Sequence, residues 1–162
     1  MDRLLYRLGR SAEARELYLK GGVLVATIVG EPHRFTRDID LLRRRGPPDP
    51  EDLRKRFRSV IAVSVATDDG VDFDPKRVRA IRAEREADGY DGVKVSIGAE
   101  VGDHPVEVGI DVGFGDAVAP RPLRIELTPF LPEDERPNVV AYPPGPVLAE
   151  KIETLMAVGR QI

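Results

Sequence analysis

The sequence predicts one mixed α/β domain, an α+β fold with a mixed or antiparallel sheet flanked by helices. Three observations carry this. Two neighbouring segments, 93–101 and 106–112, alternate apolar and polar residues, which is the pattern of half-buried strands. Charged segments with apolar residues at helical spacing lie on the N-terminal side of them. The chain has 162 residues, 41% of them apolar, enough for one ordinary domain with its own core.

Taken in order, Leu4 to Leu19 reads as a helix, with Leu4, Leu5, Leu8 and Leu17 spaced among charges until Gly21-Gly22 interrupts it. The apolar run Val23 to Val29, closed by Gly30 and Pro32, is a buried helix or a buried strand. Phe35 to Leu42 is expected as a strand. The turn Pro47 to Asp52 suits the start of a helix running through Arg58, because its acidic residues favour a helix N-terminus. Val60 to Val65 is short and β-branched and predicts a buried strand. Lys76 to Glu86 predicts a second charged helix. Val93 to Val101 and Val106 to Val112 are the two alternating strands, joined by a hairpin turn of Gly102, Asp103, His104 and Pro105. Leu123 to Leu127 is a further strand. A proline-rich connection, Pro129 to Pro146, then leads into a last helix, Val147 to Arg160. No repeat, low-complexity tract or internal boundary divides the chain, so a single domain spans 1–162.

Composition narrows the chemistry. Charged residues make up 33% of the chain and its net charge is −3, so neither disorder nor a strongly polar partner follows from charge. There is no cysteine and there are two histidines, which excludes disulfides, thiol chemistry and Cys-ligated metals and leaves little for a His cage. The N-terminus lacks a signal-peptide pattern, and no run approaches the roughly 18 apolar residues of a membrane span. The expectation is a soluble, cytoplasmic domain with no membrane partner. Any chemistry rests on carboxylates, lysines and arginines.

The most informative segment is RFTRDIDLL, residues 34 to 42. On a strand, Thr36, Asp38 and Asp40 share one face. Two carboxylates roughly 7 Å apart repel unless a cation joins them, and Mg²⁺ takes one or two carboxylates together with substrate phosphates. The same pattern also fits a polar strand face turned to water. Lys20-Gly21-Gly22 opens the next apolar run; it is either an ordinary turn or a helix start where a phosphate approaches backbone N–H groups. Asp111 lies on the polar face of its strand, followed by Gly113, Gly115 and Asp116, as a ligand-facing or a solvent-facing acid. Lys151 falls within the apolar arc of the last helix, as a contact to an anion or as a snorkelling side chain. Arg43, Arg44, Arg45, Arg54, Lys55, Arg56 and Arg58 form a basic cluster, either a phosphate-contacting surface or a solvated face. His33 and His104 sit beside prolines in turns and read as structural.

Leu19-Lys20-Gly21-Gly22, a spacer, and Arg34-x-Thr36-Arg37-Asp38-Ile39-Asp40-Leu41 together resemble the signature of the AbiEii/AbiGii toxin nucleotidyltransferases. These belong to the DNA polymerase β-like superfamily and include the MenT toxins of type IV toxin–antitoxin systems. The resemblance continues in order through Val71 to Asp74, Tyr90 to Val93, Ile110 to Asp116, Ala141-Tyr142-Pro143 and Leu148-Ala149-Glu150-Lys151.

The resemblance implies a polymerase β-like core and a set of roles. Lys20, Gly21 and Gly22 would hold the nucleoside triphosphate. Asp38 and Asp40 would bind Mg²⁺ (or Mn²⁺), with Asp111 as the third carboxylate, completing the metal site or assisting deprotonation of the acceptor hydroxyl. Lys151 would contact the triphosphate. Thr36 matches a hydroxyl position that, as a serine in some members, is phosphorylated by the cognate antitoxin kinase. MenT-type members attach nucleotides to the tRNA 3′ end, whereas others are GTP-binding toxins of phage abortive infection. The implied partners are therefore an NTP, a tRNA or other RNA acceptor, and an antitoxin. Family members continue past the Glu-Lys helix into a helical region with an Arg-x-Lys-Asp-x-x-Asp-like motif, and the expectation here is a domain without it. Two further outcomes stay open from sequence. One is transfer to a small molecule or protein, and the other is an inactive, truncated remnant that binds a nucleotide or partner.

Overall fold

In the computed structural model, residues 1–30, 38–84, 91–114, 121–129, 131, 135–143 and 145 are described. The first helix is shorter than its apolar spacing predicts. It spans Asp2–Arg10 (α1), and the N–H of Ser11 closes it on the Leu8 carbonyl at 3.1 Å. The Ser11 hydroxyl then accepts the Glu13 N–H at 3.2 Å and caps a 3₁₀ turn, Ala12–Arg15. Leu17, Tyr18 and Leu19 are all buried in a strand, Leu17–Lys20 (β1). A strand buried on both faces shows no alternation, so Leu17 imitates helical spacing. The helix expected over 4–19 is thus a helix, a turn and a strand.

The ambiguous apolar run is a helix, Gly21–Ile28 (α2). Asp38–Arg43 forms a strand (β2). Asp49 caps the next helix, Pro50–Ile61 (α3), by accepting the Glu51 N–H at 3.0 Å, and Pro50 stands in the first turn. Leu53, Phe57, Val60 and Ile61 make one buried stripe of α3. The strand expected over 60–65 is therefore absent: Val60 and Ile61 complete the helix, and Val63 to Val65 pair with nothing in the sheet. Val71–Glu84 (β3) is a strand where a charged helix is expected. It pairs antiparallel with Asp91–Val101 (β4), and cross-strand pairing overrides the helical preference of its Lys, Arg and Glu residues. Its charges suit an edge strand, where they deter further pairing.

β4 and His104–Phe114 (β5) form the expected hairpin, with a tighter turn than predicted because His104 and Pro105 already pair with Val101 and Glu100. Leu123–Glu126 (β6) is present. The proline-rich connection holds a strand not anticipated from sequence, Asn138–Ala141 (β7), with Val139 and Ala141 buried. The predicted last helix, 147–160, lies outside the described residues. Among the described residues the strands make a mixed seven-stranded sheet in the order β3-β4-β5-β2-β1-β7-β6. This is the α+β architecture that the sequence predicts.

α3 packs on the face that carries Ile39, Leu41 and Arg43, where the core sits. Arg43, 7% exposed, reaches across to pair with Asp52 of α3. Arg56 binds the same carboxylate at 2.9 Å and Glu13 at 2.6 Å, Arg54 pairs with Glu51, and Arg58 donates to the Pro75 carbonyl. Of the basic cluster, Arg43 and Arg58 thus tie α3 to the sheet on the face away from Asp38 and Asp40, Arg54 and Arg56 are held in ion pairs, and Arg44, Arg45 and Lys55 are exposed. A buried pair on that same face joins Arg7 of α1 to Asp69, with Phe73 5.0 Å from the guanidinium.

Burial works against ionisation of Asp52, but hydrogen bonds from Arg56 and Arg43 outweigh it and hold its carboxyl below the ordinary 3.8. The folded-state value is the depressed one. The pairing therefore stabilises fully above 3.8 and is lost as pH falls through the folded value. Urea midpoints should drop in the wild-type protein as pH falls below about 5 and drop less in Asp52→Asn. A stability gap between the two that does not narrow in acid would contradict this.

Candidate active site

Strand register assembles the site. β2 and β5 run parallel, with Asp40 opposite Asp111 and Asp38 opposite Gly109. β1 is antiparallel to β2 and sets Lys20 opposite Asp40, while β4 sets Lys94 opposite Asp111. Residues directly opposite share a face. A single row, Lys94-Asp111-Asp40-Lys20, therefore crosses four strands on the face turned away from α3. Asp38 stands on the same face, one step along β2. It is exposed, while Asp40 and Asp111 are half-buried.

The backbone around these acids is shaped to admit them. Gly21 begins α2 with φ +66, and a Cβ there would overlap the Asp40 carboxylate. The Gly22 N–H donates to Asp40 Oδ2 at 3.4 Å, so the N-terminal end of α2 faces this carboxylate with its positive dipole end. Gly109 makes the same room for Asp38, whose carboxylate a Cβ there would overlap. Lys20 extends over β2 toward β5, since a Cβ on Gly113 would lie 3.3 Å from its Nζ. The result is two cations flanking a line of acids, with a helix start beside it.

Among the described residues no three His, Cys, Asp or Glu groups converge as a preformed metal cage. The donors present are hard carboxylate oxygens on one open face. They fit a cation that takes one or two carboxylates and fills its remaining positions with phosphate and water, as Mg²⁺ does.

Six of the sequence-predicted residues are brought together: Lys20, Gly21, Gly22, Asp38, Asp40 and Asp111. Thr36 and Lys151 lie outside the described residues, as does His33. His104 is exposed at the start of β5. Lys94 and Gly109 belong to the site and escape a reading of motifs alone. Their signal is present in the alternation, where Lys94 is on the polar face of its strand and Gly109 is two residues before Asp111.

The family model described as nucleotidyl transferase AbiEii toxin, type IV TA system, matches residues 3–161. The chain belongs to the AbiEii toxin family. Two solved structures align with this AbiEii chain, each over 92% of its length. One is a candidate nucleotidyltransferase from H. pylori, at 14% identity with a TM-score of 0.49, covered over 53% of its own chain. The other is JHP933 from Helicobacter pylori, at 14% identity and 0.47, covered over 51%. The AbiEii chain spans about half the length of these structures. No curated protein matches it in sequence.

A further block of the AbiEii resemblance falls beside the site. Ala141 pairs with Leu19, and the Tyr142 N–H donates to the Leu19 carbonyl at 2.8 Å. Ala141-Tyr142-Pro143 thus braces the strand end from which Lys20 and Gly21 emerge. No helix among the described residues is long and apolar enough to cross a membrane.

Proposed function

We propose that this AbiEii chain transfers a nucleotidyl group from an NTP to a hydroxyl of an RNA acceptor, the 3′ end of tRNA. The observation that carries this is the register of Asp40 against Asp111, with Asp38 on the same face and the Gly21-Gly22 helix start alongside. Asp38, Asp40 and Asp111 would hold Mg²⁺, or Mn²⁺ in its place. When bound, that ion neutralises phosphate charge and orients the reacting phosphorus.

The rest falls to the chain's own groups. Lys20 and the first N–H groups of α2 bind the triphosphate. Asp111 takes the proton of the attacking hydroxyl. The acceptor oxygen bonds to the α-phosphorus, the bridge to the β-phosphate breaks, and pyrophosphate leaves. Lys151 contributes a further triphosphate contact. Thr36 is where a cognate antitoxin acts, because a phosphate placed there would repel the incoming triphosphate.

The test is transfer of label from each NTP to total tRNA with Mg²⁺, beside Asp38→Ala. Asp38 is exposed, so the variant should fold and melt like the wild-type protein while label transfer disappears. Transfer retained by Asp38→Ala rejects the carboxylate assignment. No label from any NTP in a folded wild-type sample rejects transfer itself and favours a nucleotide- or partner-binding remnant.

A further inference from the structure

The face that carries the acids continues past Asp111 onto β4 and β3, and none of the roles above uses that part of it. On β4, Ser96 and Gly98 share the face of Lys94. On β3 the register sets Ile81 beside Lys94 and Arg79 beside Ser96. Arg77 joins them, because a Cβ on Gly98 would overlap its guanidinium, so the side chain lies across that glycine. Arg79 and Lys94 are exposed and Arg77 is half-buried. Among the described residues none of the three forms an ion pair, whereas Arg54 and Arg56 of α3 do.

The placement of charge is ordered. Lys94 is one strand from Asp111, about 5 Å, and Arg79 is two strands from Asp38's neighbour Gly109, about 10 Å. The acids of the same face, Glu107, Glu100 and Asp72, begin only at the Gly98 row and continue toward the far end. Cations therefore adjoin the carboxylate row on both sides, Lys20 with α2 on one and Lys94, Arg79 and Arg77 on the other. A reaction between two phosphate-bearing substrates needs both.

We infer that Arg77, Arg79 and Lys94 form the track for the acceptor, a single-stranded RNA 3′ end whose phosphates they neutralise and whose last hydroxyl is delivered to Asp111. The inference rests on the transfer proposed above and adds which surface the acceptor occupies. A polyanion nearing Asp38, Asp40 and Asp111 meets repulsion unless cations run beside its path. An open strand face suits a single strand with splayed bases. Ile81, 63% exposed beside Lys94 and one step along β3 from Arg79, gives a base an apolar seat.

The test compares the wild-type protein with Arg79→Gln, leaving Arg77 to cover Gly98 and Lys94 in place beside Asp111. A dye-labelled single-stranded RNA with a free 3′ hydroxyl is titrated at several salt concentrations, NTP binding is measured separately, and transfer is followed against RNA concentration. The expected result is weaker RNA binding and a salt slope reduced by about 0.7 for each lost phosphate contact. NTP affinity stays unchanged and the KM for RNA rises. Unchanged RNA affinity and slope, with wild-type transfer intact, overturn the track and leave the transfer proposal standing. Unchanged RNA affinity with loss of a protein partner would make this a protein-docking face instead. A wild-type protein that transfers to no RNA removes the acceptor role together with the proposal on which it rests.

Discussion

Gly21→Ala should lower nucleotidyl transfer about 100-fold while the sheet stays folded. Two effects meet at this residue. Its φ of +66 places it where an L side chain is strained by roughly 1–2 kcal/mol. The added Cβ would also overlap the Asp40 carboxylate, so either the start of α2 or Asp40 itself must move. In the proposed transfer these groups would position the reacting phosphates, and a shift of about 1 Å is enough for a loss of that size. Gly102→Ala is the matching control. Gly102 has φ +57 in the β4–β5 turn, and a Cβ there meets nothing within 4 Å. It should lose similar stability and keep its activity. Equal inactivation of the two variants would assign the effect to backbone strain and not to displacement of Asp40.

Asp69→Ala should destabilise the fold by about 3–5 kcal/mol without a direct effect on the site. Arg7 and Asp69 are 7% and 12% exposed at their side chains and pair through both guanidinium Nη atoms. Arg7 Nη1 also donates to the Arg3 carbonyl at 3.2 Å, while its buried Nε has no hydrogen-bond partner. Loss of Asp69 would leave a guanidinium in an apolar pocket against Phe73 with too few acceptors. Urea unfolding measures the cost. The double variant Arg7→Met/Asp69→Leu should regain most of it, since removing both charges also removes the desolvation penalty. A loss under about 1 kcal/mol in Asp69→Ala would show that water screens this pair.

What could be read from the sequence follows from how locally each feature is encoded. Val93 to Val101 and Val106 to Val112 alternate because each strand has one buried face, and that needs no knowledge of the partner strand. The Asp49-Pro50 start of α3 is equally local. Leu17 to Leu19 misleads because burial on both faces erases alternation. β3 misleads because its Lys, Arg and Glu residues favour a helix until β4 offers it a ladder. Val60 and Ile61 look like a strand in isolation, yet they finish the apolar stripe of a helix that begins ten residues earlier.

The candidate site divides in the same way. The sequence by itself determined the mixed α/β class, the motifs that mark the AbiEii family, and the common face of Asp38 and Asp40, because strand alternation alone sets that face. Only the tertiary structure decided that Asp111 stands opposite Asp40 and that Lys94 and Lys20 close the row. It also drew Arg43, Arg54 and Arg56 of the basic cluster into ion pairs. Alternation fixes the face of a side chain, but the register between strands distant in sequence is fixed by long-range packing. That register brings the carboxylates and their flanking cations to one place.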